Sequence, residues 1–303
     1  MSGEALQIEE AGSLTTTQDL GRAGYAWLGV PRSGALDPGA LTLANRLVGN
    51  PEDATALEVT LGGLRFVARR ALELAITGAP VPVTVDGRAA GLGCAVHVAA
   101  GSTVALGTPR VGVRSYVALR GGIDVPRVLG SASTDLLAGI GTPLGPGDRI
   151  HLGAVPDAGI PALDQAPVAT PSADDLVLHV VLGPRDDWFT EASLEELASA
   201  AWEVDSRSNR VGVRLTGPVL EQRQRRELPS EGTIPGSIQV PHNGQPVLFL
   251  ADHPVTGGYP VIAVVTTGDL GLVAQARPGQ RLRFRPVSAP LPAERPDREP
   301  VHR

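Results

Sequence analysis

The feature that most limits what this chain can fold into is how briefly any apolar run lasts. From residue 61 onward the sequence steps through LRFVA, ALELAIT, VPVTVDG, HVAAGSTVALG and VRSYVALRGG, each of strand length and each bounded by turn residues. The 37 glycines and 27 prolines are spread along all 303 residues, which favours short strands and tight turns and excludes a helical bundle. A second series, with IQVP, PVLFLAD and YPVIAVVTT as its clearest strands, fills residues 232–284. The two series end alike, in PGDRIHL and PGQRLRF, each a Pro-Gly turn before an Arg-bearing strand. The expected division is an N-terminal β lobe over 1–153, a linker or surface loop over 154–174, a C-terminal β lobe over 175–285 and a disordered tail over 286–303. Helices are expected to be few. Asp37 with Pro38, and Asn50 with Pro51, read as N-cap and N1 pairs, and residues 190–204 read as one amphipathic helix laid over a barrel, with Leu194, Leu197 and Trp202 on one face.

Charge and composition remove several chemistries. All 26 basic residues are arginine, against 32 acids. Without lysine there is no P-loop lysine, no Schiff base and no attachment point for biotin or lipoate. A net charge of −6, an aromatic content of 3% and no basic run leave nucleic-acid binding without its electrostatic or stacking footprint. The single cysteine, Cys94, cannot form an internal disulfide, and no apolar run reaches membrane-spanning length. A cytoplasmic protein is expected.

Polar residues gather among glycines in four stretches. The first, TTTQDLGRAGYAWLGVPRSGALDPGALTLANRLVGN, brings Gln18, Asp19, Arg22, Ser33, Asp37 and Asn45 together. Arg22 and backbone N–H groups there suit a carboxylate or other oxyanion, while Asp37 as a helix cap, Asn45 as a backbone ligand and Arg22 as a partner of Asp19 are the alternative reading. SNRVGVRLTGP places Arg210 and Arg214 an even number of residues apart, which on a strand exposes both on one face, as an anion site or as a solvated strand face. SEGTIPGSIQVPHNGQP and ADHPVTGGYP complete the set, and the spacing of His242, Asp252 and His253 fits no standard zinc signature. Glu58, in ALEVTLGG, reads as a carboxylate buried between lobes with a raised pKa, or as a hydrogen-bonded structural residue.

Taken together, LTTTQDLGRAGYAWLGVPRSGALD, LANRLVGN, LEVTLGG, SNRVGVRL, SEGTIPGSIQVP and ADHPVTGGYPVIAVV resemble the biotin-dependent carboxyltransferase family. That family includes allophanate hydrolase subunit 2, the KipI antagonist KipA and the C subunit of prokaryotic 5-oxoprolinase. The resemblance implies a mainly β, cyclophilin-like β-barrel fold in two β-rich lobes with a few short covering helices. It also implies a companion from the family of allophanate hydrolase subunit 1, KipI and the 5-oxoprolinase B subunit, and possibly a large subunit.

Three functions follow from the resemblance. The first is a subunit of an ATP-dependent complex that opens 5-oxoproline to glutamate at a site shared with the companion. The second is a carboxyltransferase component acting on urea or a similar amide, and the third is a non-catalytic antagonist of a histidine-kinase inhibitor. No cofactor is expected on this chain: ATP would be handled by a large subunit, or biotin by a separate carrier, and no metal is expected. Carried over by position, the implied cleft residues are Asp37, Glu58 and Thr256 for chemistry, with Gln18, Asp19, Arg22, Ser33, Asn45, Asn209, Arg210, Gln239, Asp252 and Tyr259 for a small amide or carboxylate substrate. ADHPVTGGYP has Pro254 and Val255 where relatives often carry a polar pair, which implies altered substrate choice or weaker chemistry.

Overall fold

A computed structural model describes residues 4–223 and 227–288. The N-terminal lobe is a pair of facing sheets. One has seven strands and begins its central pairing with Glu4–Ala11 against Leu64–Ala68; the other has five, ordered Leu14–Gln18, Ala56–Thr60, Arg114–Leu119, Leu72–Gly78 and Ala95–Val98. Strand periodicity decides what each face does. Along the fully buried strand Arg114–Leu119, Val117 and Leu119 enter the core between the sheets, while Tyr116 and Ala118 face helix α1, Pro38–Leu47. Helix α1 starts where the sequence signals it: Asp37 Oδ1 accepts the Ala40 N–H at 3.0 Å and Pro38 occupies the first turn.

The C-terminal lobe is a closed barrel of seven strands. Its order is Leu176–Leu182, Val261–Val265, Ser237–Gln239, Val247–Phe249, Gly212–Thr216, Trp202–Val204 and Arg281–Pro286. Parallel pairing of Leu176 with Leu282 and of Leu178 with Phe284 shuts it. Closure leaves no free edge among these strands, and the interior is filled by side chains such as Trp202, Ile238, Leu248 and Phe284. Residues 154–174 form no strand or helix, yet Ala166 packs with the core under helix α1.

Three expectations are corrected here. The helix expected over 190–204 ends early: α2 is Glu191–Ser199, Ala200 is extended, and Trp202 belongs to a barrel strand. Its indole N–H still reaches back to the Leu197 carbonyl at 3.2 Å, so the apolar face read as helical is shared between a helix end and a strand. Asn50 and Pro51 open no helix; Asn50 bridges loops, donating to Asn45 Oδ1 and the Leu119 carbonyl and accepting from the Gly121 N–H. The last barrel strand runs through Pro286, one residue past the expected lobe end, and most of the expected disordered tail, from residue 289 on, lies outside the described residues.

Candidate functional site

The lobes meet at a strap, residues 33–37, pressed between the five-stranded sheet and the barrel mouth; its Leu36 joins the barrel's core. Ser33 and Gly34 both take left-handed backbone, at φ 54° and 93°, which turns the strap toward the barrel. From the barrel side Arg210 crosses the junction. Its Nε donates to Asp252 Oδ2 at 2.8 Å, its Nη2 to Asp252 Oδ1 at 3.0 Å and to the Gly34 carbonyl at 2.8 Å, and its Nη1 to Glu58 Oε1. Glu58 also accepts the Leu36 N–H at 3.0 Å and the Tyr116 hydroxyl at 2.7 Å. Ser33 donates to Asp252 Oδ1 at 2.6 Å.

Charge pairing outweighs burial in deciding how these groups ionise. Burial alone would lower Arg210, but the charges of Glu58 and Asp252 outweigh it and raise the guanidinium above the usual arginine value. For Glu58 burial pushes upward, and Arg210, then Arg114, then the Leu36 N–H and Tyr116 hydroxyl bring it below the usual glutamate value. Of the two readings of Glu58 from sequence, this overturns the raised pKa and agrees with the hydrogen-bonded structural residue. Arg210, expected on an exposed strand face with Arg214, is 1% exposed and precedes the strand, which starts at Gly212. A buried pair of this kind gives little net stability, but removing one partner is costly.

Asp37 sits beside this clasp. Its Oδ2 accepts Gln275 Nε2 from the second lobe at 3.0 Å, and it lines a cavity of about 190 Å³ under residues 169–172. Burial raises its carboxyl above the usual aspartate value, with Gln275 and the Ala40 N–H opposing.

A second group surrounds the backbone of residues 133–135. Asp19 accepts the Ser131 and Ser133 hydroxyls at 2.6 Å each and the Ala132 and Gly21 N–H groups at 2.8 Å each. Burial would raise this carboxyl, and those four hydrogen bonds hold it below the usual value instead. Arg22 does not hydrogen-bond Asp19. It donates to the Ser133 carbonyl and, at 3.3 Å, to the Val128 carbonyl, and burial lowers its pKa. Gln18 donates to Thr134 O at 3.0 Å. Among the described residues Arg22 Nη1, Gln18 Oε1 and Asp135 Oδ2 are buried without a hydrogen-bond partner.

The remaining expected residues lie apart. Asn45 is tied to the Ala54 carbonyl at 2.7 Å and serves the loop after α1. Gln239 donates to the Tyr259 carbonyl at 2.9 Å and steadies the turn that carries Thr256 and Tyr259, both exposed at the barrel rim. Asn209 Oδ1 caps the turn before the barrel strand, accepting from Val211 N–H at 2.8 Å. His242 meets the Tyr259 ring edge-on, and His253 stacks on Phe249 with its Nδ1 2.8 Å from the Pro254 carbonyl. Among the described residues no group of three or more His, Cys, Asp or Glu could hold a metal. The sequence reading missed Arg114, Tyr116, Gln275, Ser131, Ser133 and Asp135. Tyr116 and Arg114 lie in a segment legible only as strand, and Gln275 in one with no polar density.

The fold is shared with known proteins. Residues 28–286 match the family model described as the carboxyltransferase domain, subdomains A and B, and the chain belongs to that family. It is 40% identical to the C subunit of 5-oxoprolinase from Escherichia coli (strain K12), over 92% of this chain and 90% of that protein. The C subunit of 5-oxoprolinase from Haemophilus influenzae is 33% identical, over 93% and 91% respectively. Among solved structures, the crystal structure of the K. lactis urea amidolyase superposes with a TM-score of 0.89 at 32% identity. It covers 95% of this chain, which spans only 19% of that longer one.

Proposed function

We propose that this chain is the C subunit of a 5-oxoprolinase complex, opening the lactam of 5-oxoproline to glutamate while another subunit handles ATP. The observation that carries this reading is two-way coverage: the match takes in 92% of this chain and 90% of its E. coli relative. A companion of the KipI and 5-oxoprolinase B-subunit type completes the site. Trp27 and Leu28, 79% and 51% exposed at the tip of the loop leading to the strap, offer it an apolar surface. In this reading Asp37 accepts a proton at its cavity, while Glu58, Arg210, Asp252 and Ser33 are positioning residues that fix the strap. Asp19, Gln18 and Arg22 hold the loop at residues 133–135, with Arg22 Nη1 left to meet an oxyanion. The complex would act in the cytoplasm. Among the described residues no helix is long and apolar enough to cross a membrane.

The test is ATP-dependent release of glutamate from 5-oxoproline by the co-purified complex. Loss of activity when this chain is omitted is the expected result, and full activity without it ends the proposal.

A second reading, carboxyl transfer to urea or a similar amide, is favoured by the urea amidolyase superposition. Since the chain has no lysine, biotin would have to arrive on another chain. Bicarbonate- and biotin-dependent carboxylation of urea by the same complex, in place of glutamate release, would select it.

A further inference from the structure

A cavity of about 210 Å³ opens between the lobes on the Arg210 side of the junction. Two arginines, Arg114 from the five-stranded sheet and Arg210 from the barrel, form part of its wall, and no acidic or histidine side chain among the described residues does. Both side chains are more than nine-tenths buried, at 7% and 1% exposure. The carboxylates that balance them, Glu58 and Asp252, are not part of the cavity wall. The cavity is therefore lined by the cationic half of the clasp.

Arg114 is the less satisfied of the two. Its Nη1 donates to the Ala274 carbonyl and its Nε is enclosed without a hydrogen-bond partner, which leaves Nη2, also unpartnered among the described residues, as the nitrogen able to face the cavity. The nearest acid, Glu58 Oε1, stands 3.7 Å away, in ion-pair range and beyond hydrogen-bond reach. A buried charged donor left in this state is costly unless something else meets it. Across the cavity the loop with Ser206 and Asn209 supplies a hydroxyl and an amide, and the Asn209 oxygen is already used on the Val211 N–H. Leu61 and Leu136 add apolar wall, and Leu61 is held at φ 59°, a backbone region unfavourable for leucine.

We propose that this interlobe cavity binds a small carboxylate-bearing ligand, the carboxylate received by Arg114 with Arg210 beside it, and the other polar atoms by Ser206 and Asn209. Two cations without a facing acid select an anion, the planar guanidinium favours a carboxylate, and the apolar wall accepts a short carbon frame. That such a ligand is the substrate of the complex rests on the function proposed above; that the cavity takes a carboxylate does not.

Calorimetric titration of the full chain with 5-oxoproline, its neutral carboxamide and urea tests this. Saturable binding of 5-oxoproline is expected, with the carboxamide weaker by about tenfold or more and no heat from urea. Arg114→Gln should abolish binding. Because that change also deprives Glu58 of a neighbouring charge, the second variant is Ser206→Trp. Ser206 is exposed, so the indole should block the cavity without changing the thermal midpoint. Equal binding of carboxylate and carboxamide, urea binding in place of 5-oxoproline, silence with all three, or wild-type binding by Ser206→Trp would each overturn the proposal. Carboxylate binding by a chain whose complex makes no glutamate would leave the cavity standing and remove the 5-oxoprolinase reading.

Discussion

The two lobes end in nearly the same words and build different objects with them. PGDRIHL and PGQRLRF each give a turn with glycine in the left-handed region, Gly147 at φ 93° and Gly279 at φ 82°, and each then gives a strand. In the first lobe that strand, Arg149–Leu152, pairs antiparallel with Glu4–Ala11 and Ile123–Asp124 inside an open sheet. In the second, Arg281–Pro286 pairs parallel with Leu176–Leu182 and antiparallel with Trp202–Val204, and so closes a barrel. A local signal specifies turn and strand; the partner is chosen by the rest of the chain. The chemistry-bearing residues reflect this division, because the densest buried group belongs to neither lobe alone. Glu58 and Tyr116 come from the open sandwich, Arg210 and Asp252 from the barrel side, and each half is unsatisfied without the other.

The strongest way to break that comparison is Arg210→Met. It leaves Glu58 and Asp252 buried without their shared cation, and the expected loss is about 3–5 kcal/mol, read as a fall in the urea midpoint of unfolding. If the clasp makes the lobes one cooperative unit, the single transition of the wild type should split, with buried Trp202 reporting the barrel separately. Arg207→Met, which removes the exposed pair with Asp205, should leave the midpoint where it was. An Arg210→Met protein as stable as wild type would mean that the clasp adds nothing to the other contacts between the lobes, Asp37 with Gln275 and Arg114 with the Ala274 carbonyl among them.

The paired turns sharpen it further. Neither Gly147 nor Gly279 has a neighbour within 4 Å of where a Cβ would stand, so alanine there meets only backbone strain. Gly147→Ala and Gly279→Ala should each cost about 1–2 kcal/mol. Amide hydrogen exchange then separates the objects: Gly147→Ala should speed exchange in Arg149–Leu152 and its sheet, Gly279→Ala around the whole closed barrel. Equal acceleration in both lobes from either change would show that the two unfold together and that the difference in architecture has no energetic counterpart.

How far the fold was legible follows from which interactions are local. The strand at Leu64–Ala68 shows its alternation directly, with Arg65 exposed between buried Leu64 and Phe66, and Asp37 with Pro38 marks a helix start within four residues. Residues 190–204 misled because Trp202 satisfies two periods at once. It lies on the helical face with Leu197, and it alternates with Val204 as a strand residue, and only closure against Leu282 decides between them. The site was legible in part. Glu58 was recognisable as a buried carboxylate and Asp37 as a cap, but Arg210 was placed on a strand that begins two residues later. Its partner Glu58 is 152 residues away, and no spacing rule spans that distance. Arg114 and Gln275, 161 residues apart, were invisible for the same reason.

The smallest expected effect concerns two of the carboxyls that reach across the junction. Glu58 meets an arginine, and its folded pKa is lowered; Asp37 meets the neutral amide of Gln275, and burial raises its folded pKa. The signs are opposite. Glu58 contributes stability that is present above the usual glutamate value of 4.5 and lost as pH falls through its lower folded value. The Asp37 contribution is intact below the usual aspartate value of 3.8 and lost as pH rises through its higher folded value. Acidification from neutrality should therefore first return the Asp37 contribution and then remove that of Glu58. Asparagine caps a helix as well as aspartate does, so Asp37→Asn isolates the charge. The difference in thermal midpoint between Asp37→Asn and wild type, followed from pH 7 to about pH 3, should favour the variant at neutral pH and shrink on acidification. A difference that does not change with pH would place the Asp37 carboxyl in effective contact with solvent, and the junction would then have one buried carboxyl pair, not two of opposite sign.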